Sequence, residues 1–112
     1  MNIDVKQQGD IQVMHCDGSL DADSVTAFKK VAYDLVGAGS TRFVIDCHNL
    51  TFIDSMGLGV LISLLRRVRQ RNGDVKVAGL TDEVKTIFEI TRLHRLFEVC
   101  SDWNAAVRQF GK

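Results

Sequence analysis

The run Arg42-Phe43-Val44-Ile45-Asp46-Cys47 constrains the fold most. Its β-favouring apolar residues do not alternate with polar ones, which predicts a strand covered on both faces and therefore central to its sheet. The segments around it alternate in type. Ile3 and Val5, then Ile11 and Val13, alternate with polar residues across Gly9-Asp10, the pattern of a short hairpin. His15 and Cys16 end the second strand, and Asp17-Gly18-Ser19-Leu20-Asp21 turns the chain out of it. Val25, Phe28, Ala32, Leu35 and Val36 recur at helical spacing, with Asp21, Asp23 and Ser24 at the start and Gly37 and Gly39 at the end.

After the central run, His48-Asn49-Leu50-Thr51 reads as a loop leading to Phe52-Ile53 and a second helix, whose core stripe is Leu58, Leu61, Leu65 and Val68. Arg66, Arg67, Arg69 and Arg71 sit at its carboxyl end, where the helix dipole favours cations, and Asn72-Gly73 stops it. Val75 and Val77 mark a further strand. Thr81-Asp82-Glu83 caps a helix that places Val84, Ile87, Phe88 and Thr91 on one face. Leu96–Cys100 reads as the last strand, and Ser101-Asp102 opens a helix with Trp103, Ala106, Val107 and Phe110 inward.

This order predicts an α/β domain with a mixed, mostly parallel sheet, an N-terminal β-hairpin, about four helices and right-handed crossovers. With 112 residues and 46% hydrophobic content, one packed domain spanning 1–112 is expected. In open sheets of this kind partners meet the loops at the carboxyl ends of strands, and Asp21, Asp54 and Ser55 fall in such loops.

The stretch Phe52-Ile53-Asp54-Ser55-Met56-Gly57-Leu58-Gly59-Val60-Leu61 carries the chemistry. Asp54 and Ser55 both suit a helix N-terminus, where side-chain oxygens accept bonds from the orphan N–H groups of the first turn. Ser55 either caps the helix or offers a hydroxyl for phosphorylation in a positive dipole field. Gly57 and Gly59 each cost about 1 kcal/mol of helix propensity relative to Ala. They either fit the helix tightly against a neighbouring strand or leave room for a bulky group.

Other chemistries fit poorly. A serine hydrolase would want Gly two residues before the nucleophile, where this chain has Ile53. A phosphate-gripping loop would want Lys and Ser or Thr after its glycines, whereas Val60-Leu61 follow Gly59. A receiver domain could nominate Asp46 or Asp54, but the acidic pair after its first strand and the lysine after its last are missing. His15, Cys16, Cys47 and His48 give at most one ligand per adjacent pair, too few for a closed zinc site, and His94 stands alone. Fourteen Lys and Arg balance fourteen Asp and Glu, so no basic excess exists to grip nucleic acid. Three widely spaced cysteines, Cys16, Cys47 and Cys100, read as reduced thiols. Neither a signal peptide nor a membrane span is visible, which places the chain in the cytoplasm without direct membrane insertion.

Three segments carry a resemblance: Gly18-Ser19-Leu20-Asp21; Phe52–Leu61 with its Asp-Ser-x-Gly-Leu-Gly core; and Phe88-Glu89-Ile90-Thr91-Arg92-Leu93 with Leu96-Phe97. From about Ile3 to Phe110 the chain resembles the STAS family, and within it the single-domain bacterial anti-sigma factor antagonists. The family commonly has Ser or Thr where Met56 stands and Glu where Ser19 stands. The resemblance implies a single STAS-like domain that binds without catalysing and needs no cofactor or metal. It further implies that Ser55 is phosphorylated by an anti-sigma factor with serine kinase activity, and that a PP2C-type serine phosphatase reverses this. Asp21, Asp54, Met56, Gly57 and Gly59 would form the surroundings of the phosphorylated serine, in a monomer or weak dimer. Alternative roles are a STAS scaffold or regulatory subunit of a signalling assembly or membrane transporter, or a small nucleotide-binding or hydrolytic α/β protein.

Overall fold

The computed structural model describes residues 1–111. Strands β1 (Asn2–Gln8) and β2 (Ile11–Leu20) form the expected hairpin, antiparallel and closed by the two residues Gly9-Asp10. Helix α1 (Val25–Gly37) leads to β3 (Arg42–Ile53), α2 (Ser55–Arg69), β4 (Asp74–Ala78) and α3 (Asp82–Ile90). A single 3-10 turn, Leu93–Arg95, precedes β5 (Glu98–Cys100) and α4 (Trp103–Phe110). The sheet order is β1-β2-β3-β4-β5, with every pair after the hairpin parallel.

β3 is the middle strand, and it is covered on both sides as its apolar run requires. Phe43, Ile45 and Cys47 join a core beneath α1, α2 and α3, where Phe28, Leu61, Leu65, Val84 and Phe88 are buried. Val44 points the other way, into a smaller cluster of Ile11, Val13, Ala78 and Ala106 that Trp103, Val107 and Phe110 of α4 flank. Alternation of side chains across a strand lets one short segment feed two cores.

Both central strands run further than the sequence reading placed them. Asp17–Leu20, expected as a turn, and His48–Thr51, expected as a loop, pair with each other in parallel: Asp17 with Asn49, Gly18 with Leu50, Leu20 with Ile53. The turn-forming residues are absorbed as irregularities of register between His15 and Asp17 and between Gly18 and Ser19. Gly18 takes φ +113 there, a conformation that favours glycine. Leu20, Leu50 and Ile53, all buried, hold the extension in the sheet.

Smaller departures share one cause, the demand of the core. On α2 the buried set is Val60, Leu61, Leu64, Leu65 and Val68 with Gly57, while Leu58 is half-buried. On α3, Thr91 is exposed and donates from its hydroxyl to the Ile87 carbonyl at 2.7 Å, so the buried face is Val84 and Phe88. β5 is shorter than expected because Phe97 leaves the strand path to pack on Phe88, with ring centroids 6.0 Å apart. Ser24 does not cap α1 with its side chain. Its hydroxyl donates back to the Ser19 carbonyl at 2.7 Å. Among the described residues no helix is long and apolar enough to cross a membrane.

All three cysteines are free thiols, Cys16 and Cys47 buried and Cys100 half-buried. Burial, reinforced by the Asp46 charge, pushes the Cys16 thiol from 9.0 up to about 12, and burial drives Cys47 upward too. Native thiols therefore keep protons that the unfolded chain gives up. Their contribution to stability is whole below about pH 9 and is lost as pH rises from there through the native value. In urea denaturation followed by circular dichroism, the midpoint should fall above that pH, and Cys16→Ala should flatten the fall.

Candidate functional site

The site is made where two parallel strands end side by side. β3 finishes at Ile53, Asp54 stays extended, and Ser55 is the first residue of α2. Asp54 takes the cap: one carboxylate oxygen, Oδ1, accepts from the Gly57 N–H at 2.9 Å. Its other oxygen, Oδ2, accepts from the Ala22 N–H at 3.1 Å, in the loop between β2 and α1. The Asp54 N–H donates to the Leu20 carbonyl at 3.2 Å. One residue thus starts a helix and ties two loops together.

That division of labour leaves Ser55 free. It lies on the exposed side of the first turn, and among the described residues no hydrogen bond engages its hydroxyl oxygen. Leu58 N–H reaches the Asp54 carbonyl at 2.9 Å, and Gly57 N–H is taken by the Asp54 side chain. For the first-turn N–H groups beside the serine, those of Ser55 and Met56, no acceptor is found among the described residues, and they lie at the positive end of the α2 dipole.

The two glycines have opposite roles. A Cβ on Gly57 would stand 2.8 Å from Ile53 Cγ1, 3.0 Å from the Leu20 carbonyl carbon and closer still to the Leu20 oxygen. Gly57 is there because the helix lies directly on the end of β2. A Cβ on Gly59 would meet nothing within 4 Å. Its helix cost is not offset by packing inside the chain.

Asp21 is turned toward its own loop, where one carboxylate oxygen accepts from the Asp23 N–H at 3.0 Å and faces the Ser24 hydroxyl at 3.4 Å. The Asp54 bond to Ala22 brings that loop against the start of α2, so Asp21, Asp54 and Ser55 do share one end of the sheet. Among the described residues none of Asp21, Asp23 and Asp54 sits in an ion pair, and this end of the sheet is acidic. Met56, the residue after the serine, is 53% exposed, and Phe52, the penultimate residue of β3, is 48% exposed. Phe52 was not singled out in the sequence, although the burial of its neighbour Ile53 requires it to point the other way.

A second polar cluster was not legible in the sequence. Asp46, only 1% exposed, accepts from His15 Nδ1 at 2.7 Å and from His48 Nδ1 at 2.9 Å, and His15 meets the Trp103 ring edge-on. The signal lay in strand register, which pairs His15 with Asp46. With its carboxylate so occupied, Asp46 is not presented as a phosphate acceptor. Among the described residues no group of three potential ligands is placed to hold a metal ion.

Comparison with known proteins agrees with the fold. A sequence model described as the STAS domain matches residues 2–106. The chain is 28% identical to the anti-sigma-B factor antagonist of Bacillus subtilis, over 96% of this chain and 98% of that one. The crystal structure of an anti-sigma factor antagonist from Mycobacterium paratuberculosis superposes with a TM-score of 0.90 at 18% identity, covering 99% of this chain and 94% of that one. The structure of the Bacillus cell fate determinant SpoIIAA in its phosphorylated form superposes with a TM-score of 0.75 at 17% identity, covering 96% and 98%.

Neighbouring glycines should answer oppositely to the same change. Gly57→Ala forces the Leu20 carbonyl and Ile53 apart and should lower stability by about 1 to 3 kcal/mol, the usual range for overpacking. Gly59→Ala adds a methyl in open space and should raise it by about 1 kcal/mol. Equilibrium denaturation of the two variants checks both signs.

Proposed function

The chain belongs to the STAS family, and from that premise we propose that it is an anti-sigma factor antagonist switched by phosphorylation at Ser55. In this reading the unphosphorylated protein binds and sequesters an anti-sigma factor that is also a serine kinase. Phosphorylation releases that partner. The observation that carries the reading is the exposed Ser55 hydroxyl, left free because Asp54 performs the capping.

Each step follows from the site. The kinase transfers the γ-phosphoryl group of ATP to Ser55 Oγ; the O–P bond to ADP breaks, the ester bond forms, and the hydroxyl proton passes to a base on the kinase. Phosphate adds about 1.5 to 2 negative charges. It arrives beside Asp54 and the Asp21–Asp23 loop that Asp54 holds, where a docked partner would meet bulk and like charge. Breaking such a close polar contact typically costs about 2 to 5 kcal/mol, or roughly 30-fold to several thousand-fold in affinity.

The domain itself need not refold. The α2 dipole and the N–H groups of Ser55 and Met56 partly stabilise the phosphate where it forms. The two hydrogen bonds of Asp54 go to Gly57 and Ala22 and do not involve the Ser55 hydroxyl, so the frame beneath the serine does not depend on that group. This chain contributes recognition and an acceptor hydroxyl and catalyses nothing. The ester is returned to serine by a separate PP2C-type serine phosphatase, and the cycle runs in the cytoplasm. The relative named as an anti-sigma-B factor antagonist and the neighbour solved in a phosphorylated form support the assignment.

Incubation with the cognate kinase and ATP should add one phosphate, located on Ser55 by mass spectrometry. In direct binding Ser55→Ala should hold the kinase as tightly as the unmodified protein, and Ser55→Asp should bind at least ~30-fold more weakly. Phosphate found elsewhere, or equal binding by Ala and Asp, would overturn the assignment.

A further inference from the structure

The basic side chains of this chain divide into those the fold uses and those it does not. Arg69 donates to the Leu96 carbonyl at 2.9 Å and faces Asp74, and Arg71 donates to the Val36 carbonyl at 3.1 Å. Lys30 pairs with Asp34, Arg42 with Asp10, and Lys76 with Asp74 and Glu98. Lys29, Arg66 and Arg67 are exposed, and among the described residues no carboxylate lies within ion-pair distance of them.

Two of them, Lys29 and Arg67, meet on one ring, and Arg66 precedes Arg67 in the chain. The Arg67 guanidinium carbon lies 4.1 Å from the Tyr33 ring centre and the Lys29 ammonium 5.3 Å from it. The Tyr33 hydroxyl is hydrogen-bonded to Ser63, which fixes the ring between α1 and α2. Cation–π attraction holds both charges in place without neutralising either. Arg66 and Arg67 lie in the last turn of α2, where the helix dipole favours cations, whereas Lys29 lies within α1 and is brought to the same ring by the packing of the two helices.

The charges border a depression that begins at the proposed phosphorylation site. A hollow of about 360 Å³ is lined by Lys29, Tyr33, Met56, Gly59 and Ser63. It shares Gly59 and Ser63 with another of about 630 Å³ that Arg66, Arg67 and Gln70 border. Gly59 is the open floor common to both.

We propose that this trough is the second half of the docking surface, and that Lys29, Arg66 and Arg67 receive an acidic face of the same anti-sigma kinase. The proposal rests on the reading of Ser55 given above. The unpaired guanidinium groups of Arg66 and Arg67, the second of them held on the Tyr33 ring, match carboxylates, which they take up in bidentate fashion. At 1.5 Å per residue, Arg66 lies about 16 Å along α2 from Ser55. That exceeds the Debye length of about 8 Å at physiological ionic strength. The acidic end of the sheet and the two arginines therefore act as separate poles that fix the partner's orientation, and the arginines do not bind the phosphate on Ser55.

The test is association kinetics of the full chain with its cognate kinase, at low and high salt, for the unmodified protein, Arg66→Glu/Arg67→Glu and Tyr33→Leu. The double reversal should slow association by ~10-fold or more at low salt and flatten the salt dependence, with dissociation little changed. Tyr33→Leu should give a smaller loss in the same direction. Ser55→Asp should weaken binding by the same factor with or without the reversal. Circular dichroism verifies that each variant is folded; if the reversal unfolds the chain, Arg66→Ala/Arg67→Ala takes its place. Binding unchanged by the reversal would overturn the trough alone, as would loss of the Ser55→Asp effect in its presence. No binding of the unmodified protein at either salt would overturn the functional reading and the trough with it.

Discussion

A single carboxylate organises the end of the sheet on which the function depends. Asp54 accepts from Gly57 in the helix it caps and from Ala22 in the loop across from it. Its own N–H donates to Leu20, the carbonyl on which Gly57 rests. Two strand ends, a loop and a helix start are thereby held in one piece. The serine beside it is displayed on a rigid support while remaining outside the bonding that makes the support rigid.

Rigidity there depends in turn on how β3 is built. The strand feeds Phe43, Ile45 and Cys47 to the larger core and Val44 to the smaller one, so it is fixed from both sides. Buried Leu50 and Ile53 carry that anchoring past the apolar run to the residue before Asp54. The smaller core costs the protein a buried charge, Asp46, which two histidines satisfy. The site is therefore placed by packing seated well below it, and a charge added at Ser55 need not disturb that packing.

Net charge conceals the other half of the design. Equal numbers of acidic and basic residues leave no net charge, yet the charges are not spread evenly over the surface. Asp21, Asp23 and Asp54 lie at the end of the sheet where α2 starts, and Lys29 of α1 and Arg67 of α2 meet on the ring of Tyr33. A surface with separated poles specifies an orientation, which a uniformly charged one does not.

The amino-acid sequence by itself determined the order of elements, the central and doubly covered strand, the hairpin, and the placing of Asp54 and Ser55 at a helix start. Each of these is set by local period or by local backbone chemistry. Tertiary structure decided what depends on neighbours distant in the chain. Asp54 and Ser55 are equally good caps until the Ala22 N–H arrives to hold one of them. Gly57 and Gly59 look alike until the Leu20 carbonyl comes to lie under the first and nothing under the second. Asp17–Leu20 and His48–Thr51 read as turns because their residues favour turns, and they become strand because each finds the other. His15, Asp46 and His48, like Lys29, Tyr33 and Arg67, are brought together only by register and helix packing. Such contacts carry no periodic signature along the chain, because their energy comes from the closing of long loops rather than from residues that follow one another.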